Sequence, residues 1–260
     1  MSRIYRALTP VLLLAALAAC GSDTSKSAKP SSPAAAPDAK KVDPKTASAI
    51  TGKVVLEGTP PGNPVIKMMS DPACVEANKA DFKSETYVVD KGGLENVFVY
   101  IKDGLGNKYI FDTPTEPVKL DQTGCHYVPH VLGVRTTQPL EIVNSDNTLH
   151  NVHGMPETNR EFNFGQPVPG VKNTVTFTAP EVLIPFKCDV HAWMNAYIGV
   201  VDHPYFAVSG GAGAFELRTV PAGTYTVEAV HEKLGRQSQT VTLGENDKKD
   251  ITFTFKAPAQ

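Results

Sequence analysis

The stretch PFKCDVHAWMNAYIGV, running from Pro185 to Val200, sets Cys188, His191 and Met194 at three-residue intervals. In a strand, alternate side chains face opposite sides, so Phe186 and Cys188 share one face and Lys187 takes the other. The run AYIGVV then resumes a strand. Three soft or borderline donors therefore stand on one turn between two strands. Thiolate, imidazole and thioether together favour copper, whereas zinc draws on cysteine, histidine and carboxylate. The plainer alternative is a strand and turn in which Cys188 is half of a disulfide and Met194 is ordinary core.

Three donors leave a fourth to find, and IVNSDNTLHNVHG supplies it at His150. The strand LEIVNS ends in polar turn residues, and the chain re-enters a strand at the histidine. The wider stretch YVPHVLGVRTTQPLEIVNSDNTLHNVHG resembles the cupredoxins, in particular the plastocyanin and amicyanin families. Their pattern is matched by Tyr127, Pro129, Val143, Asn144, Asp146, His150, Asn151 and Val152, and at the far end by Phe186, Cys188, His191 and Met194. The Cys-x-x-His-x-x-Met spacing is the short form of amicyanin; plastocyanin has two more residues before its methionine. Most relatives place glycine one or two residues after the methionine, whereas here Met194 is followed by Asn195-Ala196-Tyr197-Ile198-Gly199. The resemblance spans roughly Leu94 to Asp202.

The resemblance implies one type 1 copper, with His150, Cys188 and His191 in the trigonal plane and Met194 as the weak axial ligand. It implies that Asn151 pins the ligand loop by hydrogen bonds. It also implies that His191 faces solvent and conducts the electron, with Ala192 and Trp193 as an apolar docking surface for short-lived redox encounters. The function that follows is single-electron transfer between redox proteins such as cytochromes or a copper or quinone oxidoreductase. The alternative is copper storage or delivery, which would be marked by Met or His clusters on flexible segments. The chain has only 5 Met and no such cluster. A multicopper enzyme would need His-x-His pairs, which the sequence lacks, and a two-copper centre would need a second cysteine four residues from Cys188. A non-enzymatic role is therefore expected.

The 260 residues suffice for one or two domains with a proper core, and the formal charge of −2 gives no support to a nucleic-acid partner. Strand-like runs punctuated by Gly, Pro, Asn and Asp recur along the chain, so the expected class is all-β. The segment AVSGGAGAFELRTVPAGTYTVEAVHEKLGRQSQTVTL resembles the second half of a carboxypeptidase-regulatory-like (transthyretin-like) module, through Gly213, Phe215, Val220, Pro221, Ala222, Gly223 and Tyr225. Gly52-Lys53-Val54 resembles its opening. The expected architecture is a Greek-key cupredoxin sandwich over residues 94–203 and a smaller sandwich over 204–260. An N-terminal β segment, 49–93, is expected to pair with the C-terminal module, interleaving the two.

Residues 1–19, with Arg3, Arg6 and the apolar run VLLLAALAA, read as a secretory signal too short to span a bilayer. Leu17-Ala18-Ala19-Cys20 resembles the lipobox of bacterial lipoproteins, which implies a lipid on Cys20. Gly21 resembles outer-membrane sorting, so the expected location is the cell envelope, anchored by lipid. Residues 20–48 are rich in Ala, Pro, Ser and Lys and read as a disordered tether, spanning roughly 30 Å as a flexible coil. Beyond Cys20 three cysteines remain, and pairing Cys74 with Cys125 is the simplest arithmetic that leaves Cys188 for metal. His126, His130, His203 and His231 read as ordinary surface or turn residues, and alternation turns His153 away from the face of His150.

Overall fold

The structure is a computed structural model that describes residues 36–259; the leader and Cys20 lie outside the described residues. It is nearly all β, with one short helix, Pro72–Ala77, and a 3-10 turn, Gly211–Gly213. Four sheets pair into two sandwiches.

The first sandwich stacks a five-stranded sheet on a four-stranded one. In the larger sheet the order is Phe162–Gln166, His150–Gly154, Glu181–Lys187, Asn195–Val201 and Val131–Arg135. The smaller sheet orders Lys172–Val175, Leu140–Asn144, Val118–Thr123 and His126–Val128. Between them lies one apolar core that includes Leu120, Tyr127, Ile142, Val152, Phe186 and Ile198 and also takes in Cys188 and Met194. Each large side chain fully buried there contributes roughly 1.5–3 kcal/mol.

In the second sandwich, Ser48–Glu57 lies between Ala214–Val220, antiparallel, and Lys248–Lys256, parallel. Its inward face alternates Ser48, Ile50, Gly52, Val54 and Leu56, the period-two burial of a half-covered strand. The opposing sheet orders Phe206–Val208, Phe98–Asp103, Gly223–His231 and Gly235–Leu243.

The domain limits expected from sequence shift accordingly. Phe98–Asp103, expected in the copper-binding sandwich, pairs with Gly223–His231 in the other one. The first sandwich runs from Val118 to Val201 and is inserted between strands of the second. Residues in the expected tether also differ from expectation. Ala36 and Lys40 donate backbone hydrogen bonds to Asn107 and Lys108 at 3.0 and 3.1 Å, so this stretch lies along the folded body.

Where the sandwiches meet, Gly133 and Gly199 are paired neighbours in one sheet. The Phe98 and Phe206 rings lie over them, where side chains would otherwise stand. A Cβ on Gly199 would come within 2.5 Å of the Phe98 ring. Gly199→Val is therefore expected to lower the unfolding free energy by about 1–3 kcal/mol through overpacking, as measured by denaturant melts. An unchanged midpoint would show that the interface yields without cost.

Three of the histidines expected at the surface or in turns are buried, His130 and His203 within bends and His231 at a strand end. His130 meets Glu232 at 2.6 Å, His203 donates to the Ile101 carbonyl at 2.8 Å, and His231 to the Thr86 carbonyl at 2.8 Å. Each stands where a polar group from a distant segment meets its ring, a pairing that no local pattern announces.

Candidate metal centre

His150 opens the strand His150–Gly154, and alternation buries it together with Val152 and Gly154 while Asn151 and His153 face outward. Cys188 follows the last residue of Glu181–Lys187, and the turn beyond it is closed by its own backbone. Cys188 N–H donates to the Met194 carbonyl at 3.2 Å, and Met194 N–H to the His191 carbonyl at 2.9 Å. Asn195 then pairs at once with Lys187. The turn therefore closes through the ladder, which accounts for the lack of glycine just after Met194.

These elements bring His150, Cys188 and His191 together, with one ligand atom of each within 4.8 Å of the others, all buried. The two Nδ1 atoms are 3.0 Å apart, and Cys188 Sγ lies 3.9 Å from His191 Nδ1. A single ion with bonds of about 2.0–2.3 Å can bridge such separations. Met194 is buried in the same core as Cys188.

The outer ring nitrogens settle the tautomers. His150 Nε2 lies 2.9 Å from Asp146 Oδ2, and His191 Nε2 lies 3.1 Å from Asp71 Oδ2. A carboxylate only accepts, so each Nε2 carries a hydrogen and each Nδ1 is the nitrogen turned inward. Two inward nitrogens 3.0 Å apart beside a cysteine sulfur suit a cation between them, either a proton or a metal. Burial alone disfavours a charged His150, but Asp146 and Cys188 outweigh it and push its pKa up to about 9. Burial likewise opposes the Cys188 thiolate, and hydrogen bonds from His150 and from the N–H groups of Asn151, His191 and Val190 bring its pKa below the usual thiol value. The donor set thus fits a soft or borderline metal that displaces the proton on binding.

Asn151 connects the two strands. Its N–H points at Cys188 Sγ at 3.3 Å, and its Oδ1 accepts from the Asp189 N–H at 3.0 Å. His153 faces away from the centre and sits between Asp189 and Glu161 at 3.0 and 2.7 Å.

One expectation is overturned. His191 does not face solvent; it is 2% exposed. Beside it Trp193 is half-buried and Ala192 exposed; the Trp193 ring lies 5.0 Å from His191, and its Nε1–H donates to the Cys125 carbonyl at 3.0 Å. The cover is an arm from the N-terminal segment. Pro64 and Ser84 are joined at its base, and its short helix carries Asp71 at the N-cap, where Oδ1 accepts from Ala73 N–H at 2.8 Å. A Cys74–Cys125 disulfide fastens the arm to the first sandwich, leaving Cys188 free. Asn78 Nδ2 donating to the Gly124 carbonyl and Phe82 stacked on His126 add to the attachment.

Asp71 and Thr148 escaped the reading of the sequence as parts of this centre. The signal that marks Asp71 is Asp-Pro-Ala-Cys, an N-cap followed by proline at the first helical position. It announces a helix start but not what the helix covers.

No family model matches the chain, and no curated protein matches it. Among solved structures, a copper-containing nitrite reductase from Thermus scotoductus SA-01 is 24% identical, over 33% of this chain and 22% of that one, at a TM-score of 0.28. This chain therefore matches about a fifth of that protein's length. An oxidised amicyanin variant is 19% identical over 32% of this chain and 80% of that one, at 0.29. A purple cupredoxin from Nitrosopumilus maritimus is 19% identical over 32% of this chain and 97% of that one, at 0.27. All are partial, low-scoring similarities.

Proposed function

We propose that this protein is a one-electron carrier built around a single type 1 copper, which His150, Cys188, His191 and Met194 would hold. The observation that carries the reading is the buried trio of one cysteine sulfur and two Nδ1 atoms, brought together by two separate segments. Copper supplies a one-electron redox couple when bound. The chain's own residues do the rest. Asp146 and Asp71 fix the tautomers, the Asn151 N–H steadies the sulfur, and the surrounding core excludes water. A centre held by two strands and two carboxylates has little room to rearrange when its charge changes by one, which favours fast exchange. No substrate is turned over in this reading. The chain would be tethered to the cell envelope through a lipid on Cys20, and its partners would be redox proteins met transiently, such as cytochromes or a copper or quinone oxidoreductase.

The test is to add Cu(II) to the purified full chain and record its visible spectrum and copper content. An intense thiolate-to-copper charge-transfer band at one copper per chain is expected. A colourless protein that takes zinc in preference would sink the reading.

A further inference from the structure

The feature that an electron carrier with an open histidine would lack is the arm over His191. Asp71 Oδ2 takes the Nε2–H of His191 at 3.1 Å and is itself held by the Thr148 hydroxyl at 2.6 Å. Its other oxygen is engaged by the Ala73 N–H at the helix start. Cys74 Sγ, one turn further on, lies 3.8 Å from the same Nε2, and its partner Cys125 stands against the Trp193 indole through the carbonyl. Met68, Cys74 and Cys125 form a buried cluster, with Ile66, Phe82 and Trp193 packed against it. The outer edge of the ring is therefore occupied on each side described, by a carboxylate, a disulfide and an indole.

We propose that Asp71 is a positioning residue for the metal ligand His191, and that the disulfide-anchored arm seals the histidine edge against direct contact with partners. The inference rests on the copper reading given above. Its physical basis is the carboxylate–histidine–metal arrangement. A carboxylate on the outer N–H fixes the ring orientation and makes the inner nitrogen a stronger donor. A stronger, more negatively backed donor favours the oxidised, more highly charged metal. The carboxylate is over-determined by a hydroxyl and a backbone N–H, so it holds its place without help from His191. The same contacts keep water and a partner's surface off the ring, so an electron entering or leaving must pass through the arm, the indole or the Cys188 strand.

The experiment compares the full-length wild type with Asp71→Asn, which keeps the shape and the N-cap but removes the charge, and with Thr148→Val, which leaves the carboxylate in place but loosens it. Asp71→Asn is expected to weaken copper binding about 10–100-fold and to raise the reduction potential, with Thr148→Val shifting both in the same direction by less. A purely structural role would lower thermal stability and leave the potential where it was, which would overturn the proposal. A second readout needs no copper. By NMR of the metal-free chain, the His191 Nε2 proton is expected to exchange with solvent slowly in the wild type and faster in Asp71→Asn. Fast exchange in the wild type would show that the edge is open and would overturn the sealing. If the wild type shows slow exchange but no type 1 copper spectrum, the seal stands and the copper reading is what fails.

Discussion

Cys188→Ser is expected to abolish the visible charge-transfer band of the copper-loaded protein altogether. The band requires a thiolate bonded to the metal, and Cys188 is the one free cysteine among the described residues. A serine hydroxyl is a hard donor that does not ionise near neutral pH, so the soft member of the set is lost along with its charge. The N–H groups of Asn151 and His191, which point at Sγ at 3.3 and 3.4 Å, would then face a poorer acceptor. Copper retention after dialysis against a chelator is expected to fall with the band. The fold is expected to persist, because serine is close in size and the surrounding core is built from many other side chains. A variant that keeps an intense band would place the sulfur ligand elsewhere and undo the ligand assignment.

The other large effect concerns the arm. Cys74 and Cys125 are 51 residues apart, and closing a loop of that length in the unfolded chain is worth about 4 kcal/mol on the chain-entropy account. The double replacement Cys74→Ala with Cys125→Ala is therefore expected to lower thermal stability by roughly 8–16 °C if the two sandwiches and the arm unfold together. Both sulfurs are fully buried, so the alanines also leave small voids beside Met68 and Trp193. The arm, held mainly by its contacts with Gly124, His126 and Thr148, would be freed. Limited proteolysis should then cut between residues 64 and 84 in the variant and spare the wild type. Equal melting temperatures and equal proteolysis would mean that those remaining contacts suffice.

Much of the candidate centre could be read from the sequence because its donor residues sit in two short segments with local rules. Cys188, His191 and Met194 share one turn, and His150 opens a strand whose alternation points it inward. Their spacing is set by strand and turn geometry, which a few residues determine. The all-β class was legible for the same reason, since period-two alternation and Gly/Pro punctuation act over five to ten residues. Asn151 could be placed because it adjoins His150 in that alternation.

The cover over His191 was not legible in this way. Asp71 reaches the ring from 120 positions away in the chain. Nothing in DPACVEA states which surface its helix will close. The same holds for Phe98 above Gly133 and Gly199, and for His130 against Glu232. It holds too for the insertion of one sandwich into the other, since the pairing partners of a strand lie outside the strand.

The amino-acid sequence by itself determined the strands, the turn and the set of donors available for a metal. The tertiary structure alone decided that two carboxylates back the two histidines and that His191, expected to face solvent, is buried. Local backbone geometry is encoded by neighbours in the chain. Which buried polar group meets which depends on segments packed together from far apart, where each donor must find an acceptor once water is excluded.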